Sequence, residues 1–194
     1  MEQTKKLRSK DLIVAGAFAA LYLAVMLAVV TAASVTPVTF LLAPFLSGIV
    51  LGTIYILYCV KIPRRGAILI LGVPVSLALI TTTWVAPLWG MACALAAELL
   101  ASAGKYQSKK WYTASFCAFA CTTAGPFWAL LTSKPAIMEE NTAYYGAQYA
   151  AVFDAITPPW ITPVAIASAI LGGFIGAAVG KKLLKKHFEK AGVV

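Results

Sequence analysis

The sequence predicts an all-α polytopic membrane protein: a bundle of six transmembrane helices, one integral membrane domain, with both termini in the cytoplasm. Three observations predict it. Of 194 residues, 61% are hydrophobic and only 12% charged, where soluble domains average about 25% charged. The apolar residues form continuous runs close to the roughly 20 residues that a helix needs to cross the hydrocarbon core. The cations are gathered in short clusters between alternate runs. A water-soluble fold has no place for so much apolar surface, whereas lipid removes the need for a wet exterior.

The first run, 11–31, follows the basic segment 1–10. It exceeds the 7–15 residues of a signal-peptide core, so it reads as a retained helix. A short gap leads to the second span, 38–60, which ends in the basic turn Lys61-Ile62-Pro63-Arg64-Arg65-Gly66. The third and fourth spans, 67–83 and 86–103, are separated only by Thr81, Thr82, Thr83 and Trp84, which blur their boundary. A basic loop, 105–110, precedes the fifth span, 111–131. The connection 132–157 is too long for a plain turn, and Tyr144, Tyr145, Gln148, Tyr149 and Val152 recur in it at helix-like spacings. It predicts a structured outer loop over a cavity. The sixth span, 158–179, enters a basic tail. Continuous alanine-rich runs argue against membrane strands, which alternate apolar and polar residues.

The charges test this map. With the start of the chain inside, alternating loops place fifteen of the sixteen Lys and Arg residues inside and leave Lys134 alone outside. Adding or removing one helix breaks the pattern. Glu139, Glu140 and Asp154 fall in the outer connection, and Glu98 is the only acid inside a span, Asp11 standing at the very start of the first. Its place about two turns from the inner end predicts a snorkelling or capping residue beside Lys105. The formal charge of +9 therefore reports topology. No arginine-rich helix or base-stacking motif accompanies it, which excludes nucleic acid as a partner.

The same residues argue against several chemistries. Ion-driven carriers place an ionisable group near the bilayer midplane, and none is evident. The nearest approach to a phosphate loop, from Gly176 to Lys182, is one residue short, lacks the Ser/Thr and ends a membrane helix. The lone histidine, His187, lies in the tail, so no Ser/His or metal–His arrangement can be assembled, and no enzyme, metal or cofactor is expected. Cys59, Cys93, Cys117 and Cys121 read as small packed hydrophobes.

Two features remain. Small residues recur at spacing four: Ala15 with Ala19, Gly16 with Ala20, and Gly172, Gly176 and Gly180. This spacing lets a second helix approach the backbone closely, within the bundle or from a partner. Aromatics collect at the outer face: Trp84, Trp89, Phe127, Trp128, Tyr144, Tyr145, Tyr149, Phe153 and Trp160. Some belong to an interfacial belt; others are candidates to line an outer binding cavity.

Five segments together resemble the Trep_Strep family of integral membrane proteins, which is similar to the substrate-binding (S) components of energy-coupling factor transporters. They are 10–22 (KDLIVAGAFAALY), 61–67 (KIPRRGA), 104–110 (GKYQSKK), 145–160, from Tyr145-Gly146 to Pro159-Trp160, and 172–188 (GGFIGAAVGKKLLKKHF). The resemblance spans nearly the whole chain through order and spacing. It implies an importer of a vitamin or micronutrient in the cell membrane that lacks its own motor. The ligand would be held at the outer face by Trp84, Trp89, Trp128, Tyr144, Tyr145, Tyr149, Phe153 and Trp160. Ala15 and Ala19, with Gly16 and Ala20 beside them, match a stripe that docks on a transmembrane (T) component, and two ATPase subunits drive the cycle. Haem or another ring-containing molecule suits the aromatic cluster. With no histidine outside, a haem iron would have to turn to a tyrosine or Met138. Two readings compete with this one: a membrane assembly subunit that docks partners without a ligand, and a small self-sufficient channel or exporter.

Overall fold

Long apolar helices with few breakers dominate the chain, and the computed structural model, which describes residues 7–188 with side chains to Lys186, contains no strand among them. Lys5, Lys6 and Lys190 of the basic ends, and the His187 side chain, lie outside the described residues. Helix α1 (Ser9–Ala33) is followed by a single turn, α2 (Pro37–Phe40), and by α3 (Ala43–Lys61). Next come α4 (Ala67–Ala78), extended by a 3-10 turn to Thr81, and α5 (Ala86–Ala103). Helix α6 (Lys109–Ala120) runs through the 3-10 turn Cys121–Ala124 into α7 (Gly125–Tyr145), and α8 (Ala147–Ile156) and α9 (Ile161–Leu183) follow.

Five helical stretches are long and apolar enough to cross a membrane: Ser9–Ala33, Ala43–Lys61, Ala86–Ala103, Lys109–Tyr145 and Ile161–Lys186; Ala67–Thr81 is a shorter sixth. The protein is thus an all-α, multi-pass membrane protein. The main departures from the predicted spans occur at the outer end. Residues 38–60 divide into α2 and α3, because Thr36 and Thr39 cap each other's backbone N–H (3.1 and 3.2 Å) and start a separate turn at Pro37. The fifth span does not stop at residue 131. Its helix continues to Tyr145 across a kink at Ser133 (φ −133°, ψ 24°). Pro135, two residues on, has no N–H to return to the preceding turn, and this breaks the ladder there.

The bundle is organised about a glycine seam between α3 and α9. A Cβ on Gly52 would sit 2.2 Å from the carbonyl carbon of Gly176, and one on Gly176 would sit 2.1 Å from the carbonyl oxygen of Gly48. The two backbones therefore touch directly, as small-xxx-small spacing permits. Gly172, Gly176 and Gly180 are spent on the protein's own packing. The interior beside the seam is aromatic. Tyr55 and Phe119 lie 5.0 Å apart, and Tyr22 meets Phe119 edge-on at 5.6 Å. Tyr55 Oη bonds Ser115 Oγ at 2.7 Å, and Ser115 donates to the carbonyl of Ala97, so α3, α6 and α5 share one buried polar link.

The charge map has a geometric counterpart. The first turn of α1, the 62–66 turn and the 104–108 loop meet at one end. There Asp11 pairs with Arg64 at 2.9 Å, and Tyr112 donates to the carbonyls of Tyr106 (2.5 Å) and Cys59 (3.1 Å). Lys181, at the end of α9, donates to Thr113 Oγ1 at 2.8 Å. The basic clusters share an end, as the alternation requires. Glu98 is 7% exposed, so it does not snorkel. It caps α4 by accepting from the N–H groups of Gly66 (2.7 Å) and Ile68 (3.1 Å), and it also accepts from Tyr106 Oη (2.6 Å). A carboxylate suits that position because the first N–H groups of a helix have no partner within the helix. Burial, followed by the hydrogen bond to Glu98, pushes the Tyr106 pKa above its usual value.

Candidate functional site

The outer end is roofed by the second half of α7 and by α8. Gly146 (φ +88°, ψ 163°) turns the chain between them, a backbone geometry with positive φ that suits a residue without Cβ. Three sets of contacts hold the roof down. Lys134, just past the kink, pairs with Asp154 Oδ1 at 2.6 Å and donates to the carbonyl of Thr157 at 3.2 Å. Phe40 of α2 packs on Phe127 (5.4 Å between ring centroids) and on Phe153 (5.8 Å). Tyr149 Oη donates to the carbonyl of Ser34 at 3.2 Å, which ties α8 to the end of α1. Burial raises the Tyr149 pKa, with Tyr145 adding to the shift, so the phenol stays protonated and a donor.

The eight aromatic candidates separate into three groups. Trp89 and Trp128 stack at 4.7 Å with 18° between their planes, and Trp89 Nε1 donates to the carbonyl of Cys121 at 2.8 Å. Tyr145, Tyr149 and Phe153 form a ladder along the roof, with centroid spacings of 4.5 and 6.3 Å. Trp84, Tyr144 and Trp160 stand apart with exposures of 75%, 83% and 62%. The tryptophans among these suit an interfacial belt better than a pocket wall. The first two groups are connected through α7, whose Phe127 faces the roof cluster while Trp128 stacks toward α5.

The interior of the bundle contains buried polar atoms without a partner among the described residues. Tyr22 Oη, Ser47 Oγ, Ser76 Oγ and Thr122 Oγ1 are buried and make no hydrogen bond among the described residues. An unmade bond at a buried polar group costs about 1–3 kcal/mol. Ser47 lies one turn from the outer end of α3, and Thr122 lies in the 3-10 turn that packs against α3. Ser76 is in the last turn of α4, where a Cβ on Gly90 of α5 would approach its hydroxyl to 2.8 Å. Sequence reasoning passed over these four, together with Phe40. The available signal was hydroxyl groups inside otherwise apolar runs.

The small-residue stripes of α1 also separate. Ala15 is fully buried and Ala19 is 6% exposed, and both pack in the main core with Tyr22 and Met26. They face the protein's own bundle, which corrects their expected place on a partner-facing surface. Gly16 and Ala20 lie on the exposed side, and a Cβ on Gly16 would meet nothing within 4 Å. Ala24 and Ala28 prolong that exposed line.

The comparisons with known proteins agree with this architecture. The model of a bacterial integral membrane protein family, Trep_Strep, described as hypothetical, matches residues 9–190. No curated protein and no solved structure matches the chain. The match covers every membrane-crossing helix, the aromatic roof and the glycine seam, and the chain therefore belongs to the Trep_Strep family of bacterial integral membrane proteins.

Proposed function

We propose that the protein is a substrate-binding subunit of a membrane importer, of the S-component type found in energy-coupling factor transporters. It captures a ring-containing vitamin or micronutrient at the outer face and delivers it with a T component and two ATPase subunits. The observations that support this reading are the unpaired hydroxyls of Tyr22, Ser47, Ser76 and Thr122 inside the bundle and the stacked aromatics at its outer end. Such groups are satisfied when a ligand brings its own donors and acceptors, and stacked aromatics give a flat ligand an apolar bed. The chain acts as a binder and not as an enzyme. For docking, the exposed Gly16–Ala20 line offers a close-approach surface on the first helix.

The test is mass spectrometry of small molecules released from the purified chain, with its copurifying proteins identified. A ring-containing compound in near-stoichiometric amount, together with an ATPase pair, supports the reading. Partners without a ligand favour an assembly subunit. Solute flux in liposomes containing this chain alone overturns it in favour of a channel or exporter. Gly16→Trp with Ala20→Trp is expected to abolish copurification while the ligand is retained.

A further inference from the structure

Between the first turn of α4 and the last turns of α5 lies a cleft of about 550 Å³, lined by Arg65, Leu69, Leu95, Leu99, Ser102 and Tyr106 with Glu98 at its back. From Leu95 to Ser102 it follows α5 over about 10 Å. Its two ends differ in chemistry. Arg65, Ser102 and Tyr106 stand at the level of the basic loops, and Leu69, Leu95 and Leu99 extend toward mid-bilayer. Leu95 and Leu99 are 47% and 68% exposed, so the cleft opens sideways onto lipid.

Charge decides what fits the rim. Arg65 is exposed, is the one cation among the lining residues and makes no ion pair among the described residues. Its neighbour Arg64 is engaged with Asp11. The Glu98 carboxylate shares the cleft but is consumed there. One oxygen accepts from Gly66 N–H and Tyr106 O–H, and the other accepts from Ile68 N–H. The start of α4 offsets part of its charge as well. The rim is thus left with the guanidinium of Arg65, which matches a phosphate in geometry and sign.

We infer that this cleft binds an anionic phospholipid of the cytoplasmic leaflet, with its phosphate on Arg65 and one acyl chain along Leu69, Leu95 and Leu99. Basic pockets between membrane helices on the cytoplasmic side are suited to such headgroups. The lateral opening gives an acyl chain a route in that a free phosphate does not need. The site stands independently of the proposed import function.

The full chain, in nanodiscs of equal phosphatidylcholine and phosphatidylglycerol, tests this by native mass spectrometry of the lipids retained on release. Phosphatidylglycerol is expected to be retained preferentially. Arg65→Gln is expected to reduce that preference about fivefold. Leu99→Trp, which fills the cleft from an exposed position, is expected to reduce retention of the lipid itself. Lys110→Gln, a cationic position outside the cleft, is expected to change neither. Equal retention of both lipids by the unaltered protein overturns the assignment. So does an equal loss with Lys110→Gln, which would indicate diffuse attraction, and so does displacement by glycerol 1-phosphate alone, which would indicate a site for a free phosphate. Any variant is compared only after its thermal midpoint matches the parent, and Arg65→Gln and Leu99→Trp each decide the question without the other.

Discussion

The two ends of the bundle are closed by different physics. At the basic end, Glu98 takes three hydrogen bonds, Tyr112 bridges two carbonyls and Asp11 pairs with Arg64. At the outer end the roof rests on ring stacking, one tyrosine bond to Ser34 and a Lys134–Asp154 pair near solvent. Directional bonds to a buried carboxylate hold one geometry and are costly to break. Ring contacts and an exposed ion pair tolerate displacement at small cost. The difference makes one end a fixed base and the other the more readily displaced surface, with the α3–α9 seam joining them.

The largest expected effect comes from the seam, because both ends depend on it. Gly176→Leu forces the touching backbones of α3 and α9 apart. Loss of the monodisperse folded protein on size exclusion is expected. A variant that purifies with an unchanged thermal midpoint would show that the seam carries little of the structure.

Next is the base. Glu98→Ala strands two helix N–H groups and the Tyr106 hydroxyl, each worth about 1–3 kcal/mol when buried and unmet. A marked fall in the thermal midpoint is expected, with Glu98→Gln falling less because its amide keeps one acceptor oxygen. Equal midpoints for Ala and the parent would remove the contrast between the ends.

Alkaline pH sharpens the same contrast. Burial raises the folded-state pKa of Tyr106 above its ordinary value, so the neutral phenol is the stabilising form. Its contribution is complete below the unfolded value near about 10 and is lost as pH rises beyond that. Midpoints measured from pH 7 to 11 should therefore fall less steeply in Tyr106→Phe than in the parent. Parallel curves would show that Tyr106 does not sense pH.

The smallest effects are expected at the roof. Asp154→Asn removes an ion pair whose side chains are 32% and 58% exposed, and such pairs contribute about 0–1 kcal/mol. Tyr149→Phe removes one neutral hydrogen bond, about 0.5–1.5 kcal/mol. Both should leave the midpoint within a few degrees of the parent. A collapse comparable to that of Glu98→Ala would show that the outer end is as rigid as the base.

Much of the site was harder to read than the fold. The aromatic cluster was visible as composition, yet Trp89 and Trp128 were indistinguishable in sequence from Trp84 and Trp160. Only contact separates the stacked pair from the exposed pair. The helix-like spacing from Tyr144 to Val152 anticipated order in the outer connection but not the continuation of α7 past residue 131. A span ends in sequence where polar residues begin, whereas a helix ends where its hydrogen-bond ladder fails. Glu98 was recognisable as a capping residue, but the α4 N–H it meets, that of Ile68, lies 30 residues before it.

The sequence by itself determined that the chain crosses the bilayer repeatedly and which loops share a side. Hydropathy and charge act residue by residue against a fixed solvent, so a linear reading suffices. Tertiary structure alone decided which face of each helix meets a neighbour. Ala15 and Gly16 are adjacent and similar in size, yet one is buried in the core and the other is exposed. In water the inward face is marked by being apolar. In lipid both faces are apolar, and the choice passes to the fit of small residues against particular backbones.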